Sequence, residues 1–258
     1  MSKLTKQQMK AHDTAIRLLN QDRISNEEKL YIFQNYRADA NHITSKTGAF
    51  FTPLGLARDF SLQIPYQREK TIKIVDLCAG IGVLSYAACA DNDWGKVNAD
   101  ITCVELNPDY VAVGKKLLPN ATWICGDALD PALLKSLGTF DIAISNPPFG
   151  KVQNMHSDKY VSHLFEYMII EAASNIAKEG AFIIPQMSAP FVYSGTNCSR
   201  WLEEGRARQF EKQAGIMLDF NVGIDTSYHK KDWHIPAPCC EIVCCDFQSE
   251  ELSISGKP

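Results

Sequence analysis

The run SNPPFG, Ser145–Gly150, closes an apolar stretch with an amide, two prolines and an aromatic ring in that order. An amino group on an aromatic ring is a poor nucleophile, because its lone pair is delocalised, and it must become more tetrahedral before it attacks. Two acceptors aimed at its two hydrogens would do this: the side-chain oxygen of Asn146 and the backbone carbonyl of Pro147. Pro147 and Pro148 restrict the backbone torsions, so the carbonyl is held in place before a substrate arrives. Phe149 adds a flat face on which a planar base can stack, and a base inside a duplex must be extruded to reach it.

Further polar groups sit where strands are expected to end. DLCAGIG, Asp76–Gly82, puts an acid before Ala79, Gly80 and Gly82, a composition that allows a tight turn and close approach of a ligand to the backbone. VELNPDY ends an apolar run at Glu105, and CGDAL places Asp127 and Ala128 beyond the next one. A carboxylate closing the second strand suits two vicinal ribose hydroxyls, and Asp127 can accept from an exocyclic adenine amine. Either acid alone is equally a helix-capping residue. Together with the glycine turn, one strand-helix unit apart, they point to an adenosine-containing cofactor. No GxxxxGK[ST] run is present and AGIG falls short of GxGxxG, so ATP or a dinucleotide fits less well.

These groups need a scaffold, and from Lys70 onward short apolar runs alternate with helical patterns. That alternation predicts an α/β fold, a Rossmann-like seven-stranded mostly parallel sheet with helices on both faces. Strands are expected at 72–77, 101–105, 122–125, 140–145 and 181–185, with two more near 216–221 and 240–247. Helices are expected near 82–90, 109–118, 131–137 and 158–178. In such sheets ligands bind outside the carboxyl ends of the strands, where every polar motif above falls. Residues 1–47 read as an N-terminal helical extension, with Ser25 and Glu28 as a capping box. In GAFFTP, Thr52 is placed as an N-cap and Pro53 as the first helical residue.

Apolar residues make up 45% of the 258-residue chain and charged residues 22%, ordinary globular usage, and no apolar run approaches the roughly 20 residues of a membrane span. The first 20 residues lack the apolar core of a signal peptide, so cytoplasmic residence without a membrane partner is the expectation. A net charge of −4 argues against a protein that coats nucleic acid through a global positive field. A local basic groove is still compatible with it. Its candidates are Lys151, Arg200 with Arg206, Arg208 and Lys212, and His229, Lys230 and Lys231 in SYHKKDWH, where Tyr228 and Trp233 interleave aromatic rings; each cluster alone is equally a solvated face. The nine cysteines read as reduced thiols. If CCEIVCC is a strand, Cys239 and Cys245 face one side and Cys240 and Cys244 the other, so the four cannot converge on one ion and no metal is expected.

DLCAGIG, VELNP, GDAL and NPPF resemble, in this order, the successive motifs of class I S-adenosylmethionine-dependent methyltransferases that modify amino groups. GAFFTP resembles the segment ahead of the glycine turn in adenine-N6 DNA methyltransferases whose cofactor motifs come first. The likeness covers Gly48–Pro185 and makes 48–250 one methyltransferase domain. It implies S-adenosylmethionine as cofactor, bound by Phe50, Thr52, Pro53, Asp76, Ala79, Gly80, Glu105, Asp127, Ala128 and Asn146. It also implies that Asn146, Pro147, Pro148 and Phe149 carry catalysis on adenine N6 in DNA, with no covalent intermediate, while Lys151, Tyr228, Lys230, Lys231 and Trp233 are the candidate substrate contacts. Adenine N6 in ribosomal RNA is the near rival; cytosine N4 and a protein glutamine amide present the same NH2 geometry, and a non-catalytic nucleic-acid-binding partner is the reading from another class. DNA methyltransferases of this order carry a large recognition region after the sheet, whereas little more than a quarter of this chain follows Pro185. Recognition is therefore expected from loops such as GKVQNMHSD and SYHKKDWH, or from a partner or specificity subunit.

Overall fold

A computed structural model describes residues 4–40, 50–65, 70–89, 98–150 and 164–248. Lys151 and residues 158–163 of the expected fourth helix lie outside the described residues. The central sheet is built from β1 (Ile72–Leu77), β2 (Ala99–Glu105), β3 (Thr122–Cys125), β4 (Phe140–Ser145), β5 (Ala177–Pro185), β6 (Asp219–Phe220) and β7 (Cys240–Asp246). Their spatial order is β3-β2-β1-β4-β5-β7-β6. The first five are mutually parallel, and β7 runs antiparallel to both β5 and β6. The chain therefore winds outward in opposite directions from β1 and from β4, and the crevice between their carboxyl ends is the switch point at which such sheets bind ligands.

Apolar residues on both faces of the strands account for the two-sided packing. Ile72, Ile74, Ile101, Cys103, Ile142, Ile144 and Ile183 face a layer that includes α3 (Leu54–Phe60), α4 (Val83–Cys89) and α5 (Pro108–Leu117). Val75, Leu77, Val104, Ala143, Phe182 and Ile184 face α6 (Pro131–Leu137), α7 (Phe165–Ser174) and α8 (Arg206–Ala214). Two helices start as their sequences dictate: the side chains of Asn107 and Asp130 accept from the amides of Asp109 and Ala132, each with a proline at the next position.

The extension is not a separate layer. Helices α1 (Lys6–Leu19) and α2 (Asn26–Asn35) both open with capping boxes, Thr5 with Gln8 and Ser25 with Glu28. Their Ala15, Leu19, Ile32 and Phe33 are buried in the same cluster as α3, α4 and the first strands, and the Phe33 ring lies 4.8 Å from that of Tyr86.

Two expectations need correction. The helix drawn to residue 178 ends at Ser174, because residues 177–180 enter β5, where Ala177 pairs with Phe140 and Gly180 with both Ala143 and Cys245. The strand drawn over 216–221 shrinks to Asp219–Phe220, the length over which β7 offers it partners. In β7 the thiols divide as alternation requires, with Cys240 packed into the α3–α5 layer and Cys245 into the other. Burial pushes the thiols of Cys240 and Cys244 up to about 12. Among the described residues no cluster of His, Cys, Asp and Glu is arranged to hold a metal, and no helix is long and apolar enough to cross a membrane.

Candidate cofactor and amine site

The turn after β1 is shaped by backbone conformation. Gly80 has φ +58°, and a Cβ there would sit 3.2 Å from the Phe51 ring, so a side chain would be strained and crowded at once. Cys78 adopts φ +63° and is the one non-glycine residue with positive φ among the described residues. Such a conformation persists only where neighbours over-determine it. Here Ala79 N donates to Val104 O of β2 at 3.0 Å, and Ser145 Oγ of β4 donates to Leu77 O. Glu105, at the end of β2, braces the turn: its Oε2 accepts from Gly80 N and its Oε1 from Asn107 N, both at 2.8 Å.

Asn146 follows β4 directly. Its Nδ2 donates to Phe50 O at 2.9 Å and to Thr52 Oγ1 at 3.0 Å, which uses both amide hydrogens. Its Oδ1 is buried and has no hydrogen-bond partner. Thr52 is thus not the N-cap of α3. Pro53, extended at ψ 138°, takes that position with no side-chain bond, and the Thr52 hydroxyl is engaged by Asn146 instead.

Asn146 and a second residue with an unpartnered buried oxygen line one cavity, with Phe50, Phe51, Thr52, Asp76, Cys78, Ala79, Gly80, Val83 and Leu84 in its wall. That second residue is Asp76, only 1% exposed, whose Oδ1 has no partner and whose Oδ2 accepts from Ser85 Oγ at 2.6 Å. Burial raises the Asp76 carboxyl to about 7, against the lowering effect of Ser85 and with a smaller push from Glu105. Burial also raises Glu105, opposed by the amides of Asn107, Gly80 and Leu106. The Cys78 thiol is held well above its usual value by burial and by Glu105, Asp76 and Asp127, so it is no nucleophile.

Six of the sequence-predicted cofactor residues line the cavity; Pro53, Glu105, Asp127 and Ala128 are not part of its described wall. Pro53 is buried as the cap of α3, and Glu105 acts through Gly80. Asp127 accepts from Leu129 N at 2.9 Å, which turns the chain after β3, and Ala128 packs into the α6–α8 layer. Phe51, Cys78, Val83 and Leu84 join the wall without having been singled out. Phe51 and Cys78 lie inside the motifs GAFFTP and DLCAGIG, whereas Val83 and Leu84 are helix residues with no polar signal.

Phe50 of the cavity wall carries two more rings: Phe149 stacks on it with centroids 5.7 Å apart and planes at 21°, and Trp233 meets it edge-on at 6.3 Å and 81°. Gly150, next to Phe149, is tied to the buried Glu166, whose Oε2 accepts from Gly150 N at 3.2 Å and whose Oε1 accepts from Ser188 Oγ at 2.8 Å. Tyr228 is 83% exposed, and Lys230 and Lys231 are exposed beside it. Of the other basic candidates, Arg208 bonds Glu211 at 2.6 Å and lies over the Trp201 ring, a structural role on α8.

A doubly wound sheet of this order with a glycine turn after β1 defines the class I methyltransferase fold. The family model for the methyltransferase small domain matches residues 61–189, and the chain belongs to that family. No curated protein matches the chain. The fold is shared with a Listeria monocytogenes protein described as a candidate class I S-adenosylmethionine-dependent methyltransferase, at 14% identity over 93% of this chain and 86% of that one, TM-score 0.54. It is shared also with the methyltransferase subunit of a type I restriction-modification system from Streptococcus thermophilus, at 14% identity over 86% of this chain, TM-score 0.57; the match spans 50% of that subunit.

The cofactor of this class is S-adenosylmethionine. The residues present fit it. Gly80 removes side-chain bulk from the turn that Glu105 braces from behind, and the bare Oδ1 of Asp76 offers an acceptor to a ligand that carries an ammonium group.

Proposed function

We propose that the protein transfers a methyl group from S-adenosylmethionine to the exocyclic N6 of adenine in DNA. The observation that carries this reading is the orientation of Asn146. With both N–H groups bound to the 50–52 segment, the side chain presents only its acceptor, buried and unpartnered, to the cavity. A buried acceptor without a donor costs about 1–3 kcal/mol, and an incoming amine relieves that cost. Asn146 Oδ1 accepts a hydrogen bond from one N–H of the target amine and the Pro147 carbonyl accepts one from the other, which draws the nitrogen lone pair out of the ring; once nitrogen has bonded the methyl carbon and the carbon–sulfur bond has broken, one of these protons is released to solvent. The cofactor, when bound, supplies a methyl carried on a positively charged sulfur. Phe149 provides the stacking face for the base. The likeness of GAFFTP and NPPF to adenine-N6 DNA enzymes and the fold shared with a restriction-modification methyltransferase subunit support DNA as the substrate. In this reading, loops such as SYHKKDWH or a partner subunit read the DNA sequence.

The test is transfer of labelled methyl to DNA, to ribosomal RNA and to a release factor, followed by digestion and mass identification of the product. N6-methyldeoxyadenosine is expected. N6-methyladenosine from RNA, N4-methylcytosine or methylglutamine would each reassign the substrate, and an unlabelled set would refute the reading. Asn146→Ala should lower turnover about 100- to 1,000-fold, the size of effect seen when one preorganised hydrogen-bonding group is removed. Cofactor affinity by calorimetry should stay within a few-fold.

A further inference from the structure

We infer that the segment Thr226–His234 is a fixed substrate-reading strap, in which Trp233 forms the second wall of the slot for the target base and His229 is the residue that positions it. The inference rests on the nucleic-acid reading above.

The strap is anchored at three places to three different parts of the molecule. At its start, Thr226 N donates to Ser194 Oγ at 3.0 Å and Thr226 Oγ1 donates to Cys240 O at 2.6 Å. Ser194 is itself held by Glu241, a fully buried carboxylate of β7 that also accepts from Tyr193 N and Gln186 Nε2. In the middle, His229 Nε2 lies 2.7 Å from Asp59 Oδ2 of α3 and Nδ1 lies 3.4 Å from Asp232 Oδ2. The imidazole rests directly on Gly55, where a Cβ would come within 2.8 Å of two ring atoms, so α3 carries a glycine at the one place the ring needs room. At its end, His234 Nε2 lies 2.8 Å from Gln34 O of α2, and Arg37 Nη2 donates to His234 O at 2.7 Å.

The consequence is the position of Trp233. Between the His229 and His234 anchors it is half-buried, with its edge against Phe50, and Phe50 stacks on Phe149. Phe50 contacts both other rings, so a planar base that takes the place of the Phe50 ring against Phe149 meets Trp233 as its next neighbour. The same strap leaves Tyr228, Lys230 and Lys231 exposed, an aromatic ring and two adjacent cations within five residues of Trp233 in a chain of net charge −4. That combination suits a nucleotide with its phosphate outside and its base inside.

The experiment uses the full chain and single-stranded oligonucleotides with 2-aminopurine in place of the target adenine, with methyl transfer to the adenine oligonucleotide measured alongside. Trp233→Ala should raise the oligonucleotide KM at least about tenfold. It should also reduce the 2-aminopurine fluorescence change, while cofactor affinity by calorimetry stays unchanged. Trp233→Phe should restore most of the loss and serves as the folded control. His229→Ala and Gly55→Ala should each raise KM in the same way, and the double variant should be no worse than the poorer single one, because both act by moving one ring. A native KM and fluorescence response in Trp233→Ala would overturn the inference alone. No response and no transfer with the native protein would overturn the nucleic-acid reading and this inference with it.

Discussion

Asn146 shows how one side chain becomes a directed acceptor: its two donors are tied to a segment 94 to 96 residues earlier in the chain, and only its oxygen is left for the cavity. Thr52→Val removes one of the two ties. Turnover should fall about five- to tenfold, far less than in Asn146→Ala, consistent with one net hydrogen bond; a loss equal to that of Asn146→Ala would show that Thr52 does more than orient the amide. Asp76 gives a pH signature. Its folded-state pKa of about 7 lies above its ordinary 3.8, so the fold favours the protonated form. The associated stability is fully present below about pH 4 and is lost as pH rises through about 7, and the raised Glu105 acts in the same direction. Asp76→Asn should flatten the fall in Tm between pH 5 and 8. Parallel Tm curves for the two proteins would contradict the assigned burial.

At the scale of elements, the strand-turn-helix unit from β1 to α4 carries the cofactor geometry. Gly80→Ala should cost about 1–2 kcal/mol in denaturant unfolding from the left-handed backbone alone. It should also weaken cofactor binding, since the new methyl group meets the Phe51 ring in the cavity wall. Strands β1, β3 and β4 and helix α6 fall on the residues their sequences predict, because each is a short apolar run or periodic segment, and β3, β4 and α6 are also bounded by Gly, Pro, Asn or Asp. The junction of α7 and β5 was not legible. Ile176 continues the apolar helical spacing, and what ends the helix is the ladder that β4 and β7 offer to residues 177–180, partners far away in sequence. The cap of α3 failed for the same reason: Thr52 is a good N-cap by type, and a distant amide took its hydroxyl.

At the scale of the whole molecule, α1 and α2 close one side of the core. Phe33 is 3% exposed against Tyr86, so Phe33→Ala should cost about 3–5 kcal/mol. Because the extension shares that core, thermal unfolding should remain a single transition; a separate early transition would show that α1 and α2 form their own unit. The sequence by itself determined the fold class, the order of its motifs and the acid, glycine and amide chemistry at the strand ends, since these depend on residue type and on spacing within one strand-helix unit. Only the tertiary structure decided which way the Asn146 amide points, that Glu105 braces Gly80, and that Trp233 reaches Phe50. Those contacts join residues from 25 to more than 180 positions apart. Packing of the two helical layers on the sheet sets them, and no local pattern records it.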